Sequence, residues 1–380
     1  MFCSRFCPTI GGGAERQAAK LAVSLAKAGC RVTILARRFD LNPPDREEVN
    51  GVIIERLRLT DLSRRYPVPG VALFNTPYMI WQIIRAVRPC LRGADILHCH
   101  NASLLTAGAA LAGRMARVPV LCKAATAHHR SDLGGIEQTG ASGRLVAWLV
   151  RSLVGTWIAT TAAVEEALIR AGVQSEKIAR IPNGVELAED PRGPANRVKR
   201  FLYLGRISAN CQRDLPTLIR AFDRLATTHA EVELAIVGNG DLFAAIQQLA
   251  QTCAARYRIH LPGFDRPEKW LAWADCFVLP SRREGLSNAL LEAMAAGLPC
   301  IANDIPPNRE VLANGEAGIL VPVGDLDALE KAMRDVTDES RIAEHYARRA
   351  QERVAHCYSI RAVATQHMNL YQSRCTRGYL

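Results

Sequence analysis

Nowhere in this sequence do two cysteines form a C-x-x-C pair or recur at a regular interval, although there are 12 of them in 380 residues. That excludes a small disulfide-stapled secreted domain and the ligand spacing of a structural zinc site. Reduced, mostly buried thiols of a cytoplasmic protein are expected instead. Long apolar runs are missing as well. The N-terminus has no signal-peptide core, and the most apolar stretch, VALFNTPYMIWQIIRAV (71–87), is broken by Asn75, Pro77, Gln82 and Arg85. It reads as a core helix starting near Pro77, with a helix lying on a bilayer surface as the other reading. Aromatics are scarce, 6% of the chain, and do not alternate with basic residues as a nucleic-acid signature requires, so no nucleic-acid partner is expected.

Acidic side chains are in short supply in one half only. Residues 1–151 hold 21 basic against 10 acidic residues, while the remainder balances at 27 of each, so the whole formal charge of +11 lies in the first half. Such an excess concentrates anionic partners; ordinary solubility is the plain alternative. Peripheral contact with an anionic membrane, at the inner face of the plasma membrane, is the expectation it raises.

What the chain does contain is an alternation of short β-branched runs with helical patterns, the mark of parallel sheets joined by crossover helices. It restarts after the polar, proline-bearing stretch ELAEDPRGPANRVKR (186–200), which reads as a linker. The fold class expected is therefore α/β, with two Rossmann-like domains facing across a cleft. The domains are assigned to 1–187 and 188–359, with a last helix in 360–380. Ligands of such sheets bind at the carboxyl ends of the strands. One feature disturbs the pattern: MFCSRFCPTI is a weak first strand, either stunted or a sign that the chain starts late.

SRREGLSNALLEAMAAGLPCIAND (281–304) carries the chemistry. Ser287 fits an N-cap, Gly297 a C′ position and Pro299 a stop, which predicts a helix from about Asn288 to Ala296. Its N-terminus offers free amides to a phosphate. Glu292, one turn in and off the main apolar stripe, can accept the two hydroxyls of a ribose, and Glu284 in front can hold hydroxyls at the other end of the phosphates. By spacing alone, the same residues also fit a surface Glu and a turn-stabilising Glu.

EGLSNALLEAMAAGLPCIANDIPPNREVL resembles the E-x7-E signature of glycosyltransferase family 4, the retaining enzymes of the two-Rossmann type B (GT-B) fold. GGGAERQAAKLAVSLAKAGCRVTIL, DILHCHN, IPNGV, YLGRI, AIVGNGDL and LPGF are similar to further family segments in the expected order, over nearly the whole chain. The resemblance implies that Glu292 binds the nucleotide ribose, that Glu284 contacts the transferred sugar, and that the helix in 360–380 crosses back to the first domain. Gly285, Leu286 and Ser287, with Gly238 and Asn239, would complete the donor site. It also implies that Arg206 and a second cation neutralise the diphosphate. The family's usual Lys is replaced here by Arg213, in a loop longer than usual by about two residues, and a solvated Arg at a helix start is the other reading. His128 is the counterpart sought for an acceptor-side His. Gly12, Gly13 and His100 would form an acceptor- or phosphate-facing loop and strand end. No cofactor or metal is implied: the substrate is a nucleoside-diphosphate sugar and the acceptor a lipid-linked or saccharide molecule.

Duller explanations stand beside these. His98 and His100 share a strand face but lack a third metal ligand nearby. Asp325 and Asp327 mimic a D-x-D motif yet introduce a helix, where an N-cap role fits better. An epimerase of the same fold, a non-catalytic nucleotide-sugar binder and a nucleic-acid-binding protein are the rival functions.

Overall fold

Short runs of β-branched and large apolar residues become strands wherever glycine, proline or asparagine bounds them. The computed structural model describes residues 1–3, 13–38, 44–62, 71–124, 126, 132–187, 197–209 and 212–375. It divides into two units, Met1–Gly184 with Ile360–Leu380, and Val185–Ser359.

The first unit is built on β1 (Phe2–Cys3), β2 (Val32–Arg37), β3 (Arg46–Val49), β4 (Val52–Leu57), β5 (Leu97–His100), β6 (Val120–Ala124), β7 (Thr156–Ala159) and β8 (Ile178–Arg180). They lie in the order β3-β4-β2-β1-β5-β6-β7-β8, parallel except for β3. β3 and β4 form a hairpin on Asn50 and Gly51, both at positive φ (53° and 75°), as a two-residue primed turn requires. β1 is only two residues long, yet it sits centrally, with Phe2 in register with Leu35 of β2 and Cys99 of β5.

Parallel strands must be covered on both faces. Helices Val71–Cys90, Leu104–Ala116 and Ala141–Leu153 cover one face, burying Ile83, Ala109 and Val150 against Cys99, Cys122 and Trp157. Helices Gly13–Lys27 and Ile360–Arg374 cover the other, burying Leu21, Leu25 and Val363 against Ile34, Leu121 and Ile158. The helix placed by sequence near Pro77 begins at Val71 instead. Pro77 lies within its second turn on an exposed side, so the ring removes one backbone bond without setting the boundary.

The second unit carries β9 (Arg200–Leu204), β10 (Glu233–Val237), β11 (Ile259–Gly263), β12 (Cys276–Leu279), β13 (Cys300–Asn303) and β14 (Ile319–Val321). All are parallel, in the order β11-β10-β9-β12-β13-β14. Helix Leu215–Thr228 packs on one face through Leu218, Phe222 and Leu225, and helix Asn288–Ala295 on the other through Leu290, Leu291 and Met294. The chain leaves the first unit at Gly184 and re-enters it at Ile360. At that point Val185 pairs with Ser359, and a Cβ on Gly184 would fall 2.6 Å from the Ile360 side chain.

Candidate functional site

From β9 the chain moves outward to β10 and β11, then returns to place β12 on the opposite side of β9. Order reverses there, and the carboxyl ends of β9 and β12 at such a reversal are the usual ligand position in an open α/β sheet.

Two glycine turns form one side of it. The amide of Gly205 donates to Val237 O (3.0 Å) and that of Ile207 to Asn239 O (3.0 Å). The loops after β9 and β10 are therefore tied together backbone to backbone. A Cβ on Gly238 would sit 1.8 Å from Gly205 O, and one on Gly240 would sit 2.1 Å from Ile207 O. Glycine is obligatory because one backbone lies directly against another. Arg206 projects from this turn, exposed and without a carboxylate partner among the described residues, while its carbonyl accepts from the Tyr203 hydroxyl at 3.1 Å.

On the other side stands the loop between Leu279 and the helix Asn288–Ala295. Ser287 caps that helix: its Oγ accepts from the Leu290 amide at 3.3 Å, and its backbone is extended. Gly297, at φ 78°, closes it in a Schellman motif, with Leu298 N–H donating to Ala293 O and Gly297 N–H to Met294 O, each at 3.1 Å. Gly285, Leu286 and Ser287 are buried, and Glu292 is half-buried one turn behind the N-terminus.

Arg213 and Glu284 form an ion pair in this loop. The guanidinium donates to the Glu284 carboxylate and to the Ser281 hydroxyl, which itself donates to Glu284 Oε1 at 3.2 Å. The backbone holds the arrangement: Arg213 bridges Ser281, Asp214 N–H donates to Pro280 O (2.7 Å), and Arg282 N–H donates to Gln212 O (3.0 Å). Asp214 caps helix Leu215–Thr228 while pairing with Arg282 at 2.8 Å. Glu284, the Ser287 cap and Glu292 thus lie along one loop and helix start, and Arg213 reaches Glu284 from the segment between β9 and helix Leu215–Thr228. Arg206, Gly238 and Asn239 come from the adjoining strand ends. Ser281 was not singled out from sequence; its signal is its place as the first polar residue after the apolar CFVLP run.

The first unit has its own reversal of order, between β1 and β5. Gly13 is the first residue of helix Gly13–Lys27; Gly12 and His128 lie outside the described residues. His100 ends β5 at the carboxyl edge and is only 7% exposed. It stacks on His98 with centroids 4.4 Å apart, and His98 stacks on His367 of the last helix at 5.6 Å. The alternation of β5 dictates this, since residues 98 and 100 share a face with the covering helix. Lys123, the register partner of His100, is buried among them. Burial lowers Lys123 to about 7 and His367 to about 3, and holds His98 and His100 well below the histidine range. The Nε2 atoms of all three histidines are buried without a hydrogen-bond partner.

No group of three or more His, Cys, Asp or Glu among the described residues is arranged to hold a metal ion, and the described cysteines are free thiols. Asp325 caps helix Leu326–Asp338, accepting from the Ala328 amide at 2.9 Å.

The family model described as "Glycosyltransferase Family 4" matches residues 11–189, and that described as "Glycosyl transferases group 1" matches residues 198–339. A glycogen synthase of Mycobacterium tuberculosis is 27% identical over 390 residues, covering 96% of this chain and 92% of its own. A phosphatidyl-myo-inositol mannosyltransferase of Mycolicibacterium smegmatis is 33% identical over 201 residues, 51% of each chain. Among solved structures, sucrose-phosphate synthase from Thermosynechococcus elongatus superposes with a TM-score of 0.74 at 22% identity, over 98% of both chains. Anabaena HepE in complex with UDP-glucose gives 0.75 at 17% identity, over 98% of this chain and 100% of that one. Two matched family models, one on each unit, and two parallel-sheet units whose second carries the E-x7-E loop and helix make this chain a glycosyltransferase of family 4, with the two-Rossmann architecture of the GT-B fold.

Proposed function

We propose that the protein moves a sugar from a nucleoside-diphosphate sugar, with retention of anomeric configuration, to a saccharide or lipid-linked acceptor held by the first unit. The observation that carries the reading is the placement of Glu292 one turn behind the Ser287-capped helix start, at the carboxyl edge where the strand order reverses. In this reading Glu292 accepts both ribose hydroxyls. The diphosphate lies against the helix amides and the exposed Arg206.

Arg213 has a second task. A diphosphate arriving at these strand ends competes with Glu284 for its guanidinium. As Arg213 turns to the phosphates, Glu284 is released to hold hydroxyls of the sugar. Bond cleavage builds negative charge on the departing diphosphate, and prepositioned arginines and amides stabilise it without a metal in the scheme. Solved HepE contains UDP-glucose, and the mycobacterial relatives are named for phosphatidyl-myo-inositol as well as glycogen, so both acceptor classes have precedent. A lipid-linked acceptor would put the basic first half at the cytoplasmic face of an anionic membrane.

The test is a panel of UDP-, GDP- and ADP-sugars, followed by nucleoside diphosphate release with and without candidate acceptors, with Glu292→Ala as control. Release that needs both an acceptor and Glu292 supports transfer. Turnover of donor without acceptor would favour an epimerase, and donor binding without turnover a binding protein. Absence of donor binding by calorimetry would overturn the reading.

A further inference from the structure

The three helices on one face of the first sheet, Val71–Cys90, Leu104–Ala116 and Ala141–Leu153, contain no Asp and no Glu. Between Asp61 and Asp132 the sequence has a single carboxylate, Asp95. The inward sides of the flanking helices follow ordinary packing: Met79, Ile83 and Val87 on one, Val146, Ala147 and Val150 on the other, all buried.

Their outward sides do not. Phe74 is 73% exposed, Trp81 52%, Leu145 54% and Trp148 55%, and Met115 at the end of the middle helix is 52% exposed. Phe74 and Trp81 recur at helical spacing opposite the buried stripe, with Arg85 and Arg88 continuing the same line. The Arg85 guanidinium stands 5.5 Å from the Trp81 ring centroid, and Tyr78 stacks on the same ring at 6.0 Å. A groove of about 720 Å³ joins Trp81, Arg85 and Arg88 to Met115 on the neighbouring helix. Arg85, Arg88, Arg92, Arg114, Arg117 and Arg144 are exposed, and none forms an ion pair with a carboxylate among the described residues. Arg151, on the same layer but beside Glu137, is paired at 2.6 Å.

We propose that this helix layer docks on an anionic phospholipid bilayer. Phe74, Trp81, Leu145 and Trp148 enter the boundary between headgroups and acyl chains, and the six arginines meet the phosphates. Charge complementarity selects an anionic surface, and the ridge of large apolar side chains selects lipid over nucleic acid, which would leave Phe74, Leu145 and Met115 in water. No helix among the described residues is long and apolar enough to cross a membrane, so the contact is one of lying on the surface. The proposal deepens the lipid-linked acceptor reading above, but its readout is independent of turnover.

The experiment is sedimentation of the full chain with vesicles of phosphatidylcholine alone or with about 30% phosphatidylglycerol, at low and high salt. Trp81→Ser/Trp148→Ser and Arg85→Gln/Arg88→Gln are the test variants. The native chain is expected on the anionic vesicles only, and less so at high salt. The tryptophan pair should weaken partition by about tenfold and the arginine pair by about fivefold per residue, with nucleoside diphosphate affinity unchanged as the measure of an intact fold. No binding to anionic vesicles, or equal binding by both variants, overturns the proposal. So does a native dimer that the tryptophan pair dissolves without any vesicle binding, which would assign the face to a second copy, or preference for duplex DNA in competition. Vesicle binding in a chain that turns over no donor would support this surface while counting against glycosyl transfer.

Discussion

Nδ1 of His98 and the phenol oxygen of Tyr371 lie 2.7 Å apart, although 273 residues separate them in the chain. The contact fastens helix Ile360–Arg374 to the centre of the first sheet, beside a stack of three histidines and a buried lysine. Removing the phenol hydroxyl by Tyr371→Phe leaves the buried Nδ1 without its partner. A loss of about 1–3 kcal/mol in the first unit is expected from urea unfolding, with donor binding unaltered.

Acid should loosen the same region. In the unfolded chain a histidine titrates near its ordinary value of about 6.5, whereas burial keeps His98, His100 and His367 neutral far below it. The unfolded state therefore binds more protons below pH 6.5, and stability falls as pH falls through that value toward the lowered folded ones. Lys123, lowered to about 7, acts in another window: its contribution to stability rises with pH above 7. His367→Leu should reduce the slope of stability against pH, measured above the carboxylate range, by about 1.4 kcal/mol per pH unit. An unchanged slope would show that His367 already carries its proton in the fold.

At the donor site, Glu292→Ala should weaken nucleoside diphosphate binding by about tenfold to a hundredfold, the worth of hydrogen bonds to a charged group, with little change in melting temperature. Calorimetry with the diphosphate alone reads it, so no acceptor is needed. Equal affinity in the variant would take the ribose away from Glu292.

Arg213 and Glu284 should behave as one unit. Arg213→Gln and Glu284→Gln, made singly and together, are expected to show a coupling of about 1 kcal/mol or more in the stability of the second unit. Saturation with diphosphate should reduce the coupling, because the ligand draws Arg213 away. Strict additivity with and without ligand would dissolve the pair.

Gly238→Ala tests the backbone contact beneath Arg206. Its methyl would meet Gly205 O at 1.8 Å, with backbone on both sides and no flexible side chain to give way. A cost on the order of 2–4 kcal/mol is expected, read by denaturation and accompanied by weaker donor binding.

The helix Asn288–Ala295 was legible because every signal for it is local. Ser287 caps it, Gly297 ends it and Pro299 stops it within a dozen residues. The alternation of strands and helices was equally readable, since each burial face repeats within its own segment. What escaped depends on neighbours distant in the chain. Nothing within residues 96–103 says that a helix from residue 360 onward will cover His98 and His100. Nor does the loop at 213 announce a carboxylate at 284. The Asn50–Gly51 turn is a local signal too, flanked by REEV and VIIERL, the strands it joins. In helix Val71–Cys90 the apolar content was plain, but whether Trp81 faces core or water is set by the packing of the sheet beneath it.

The two crossings at Gly184 and Ile360 give the chain an unusual order of completion. During synthesis the eight described strands of the first unit emerge early, but the helix that covers His98 follows only after the whole second unit. Through that interval His98, His100, Leu121 and Ile158 form an uncovered floor. The nascent first unit is then a sheet with one face partly open until residues 360–374 emerge, so a stop near residue 360 would injure the unit whose strands are made before the second unit.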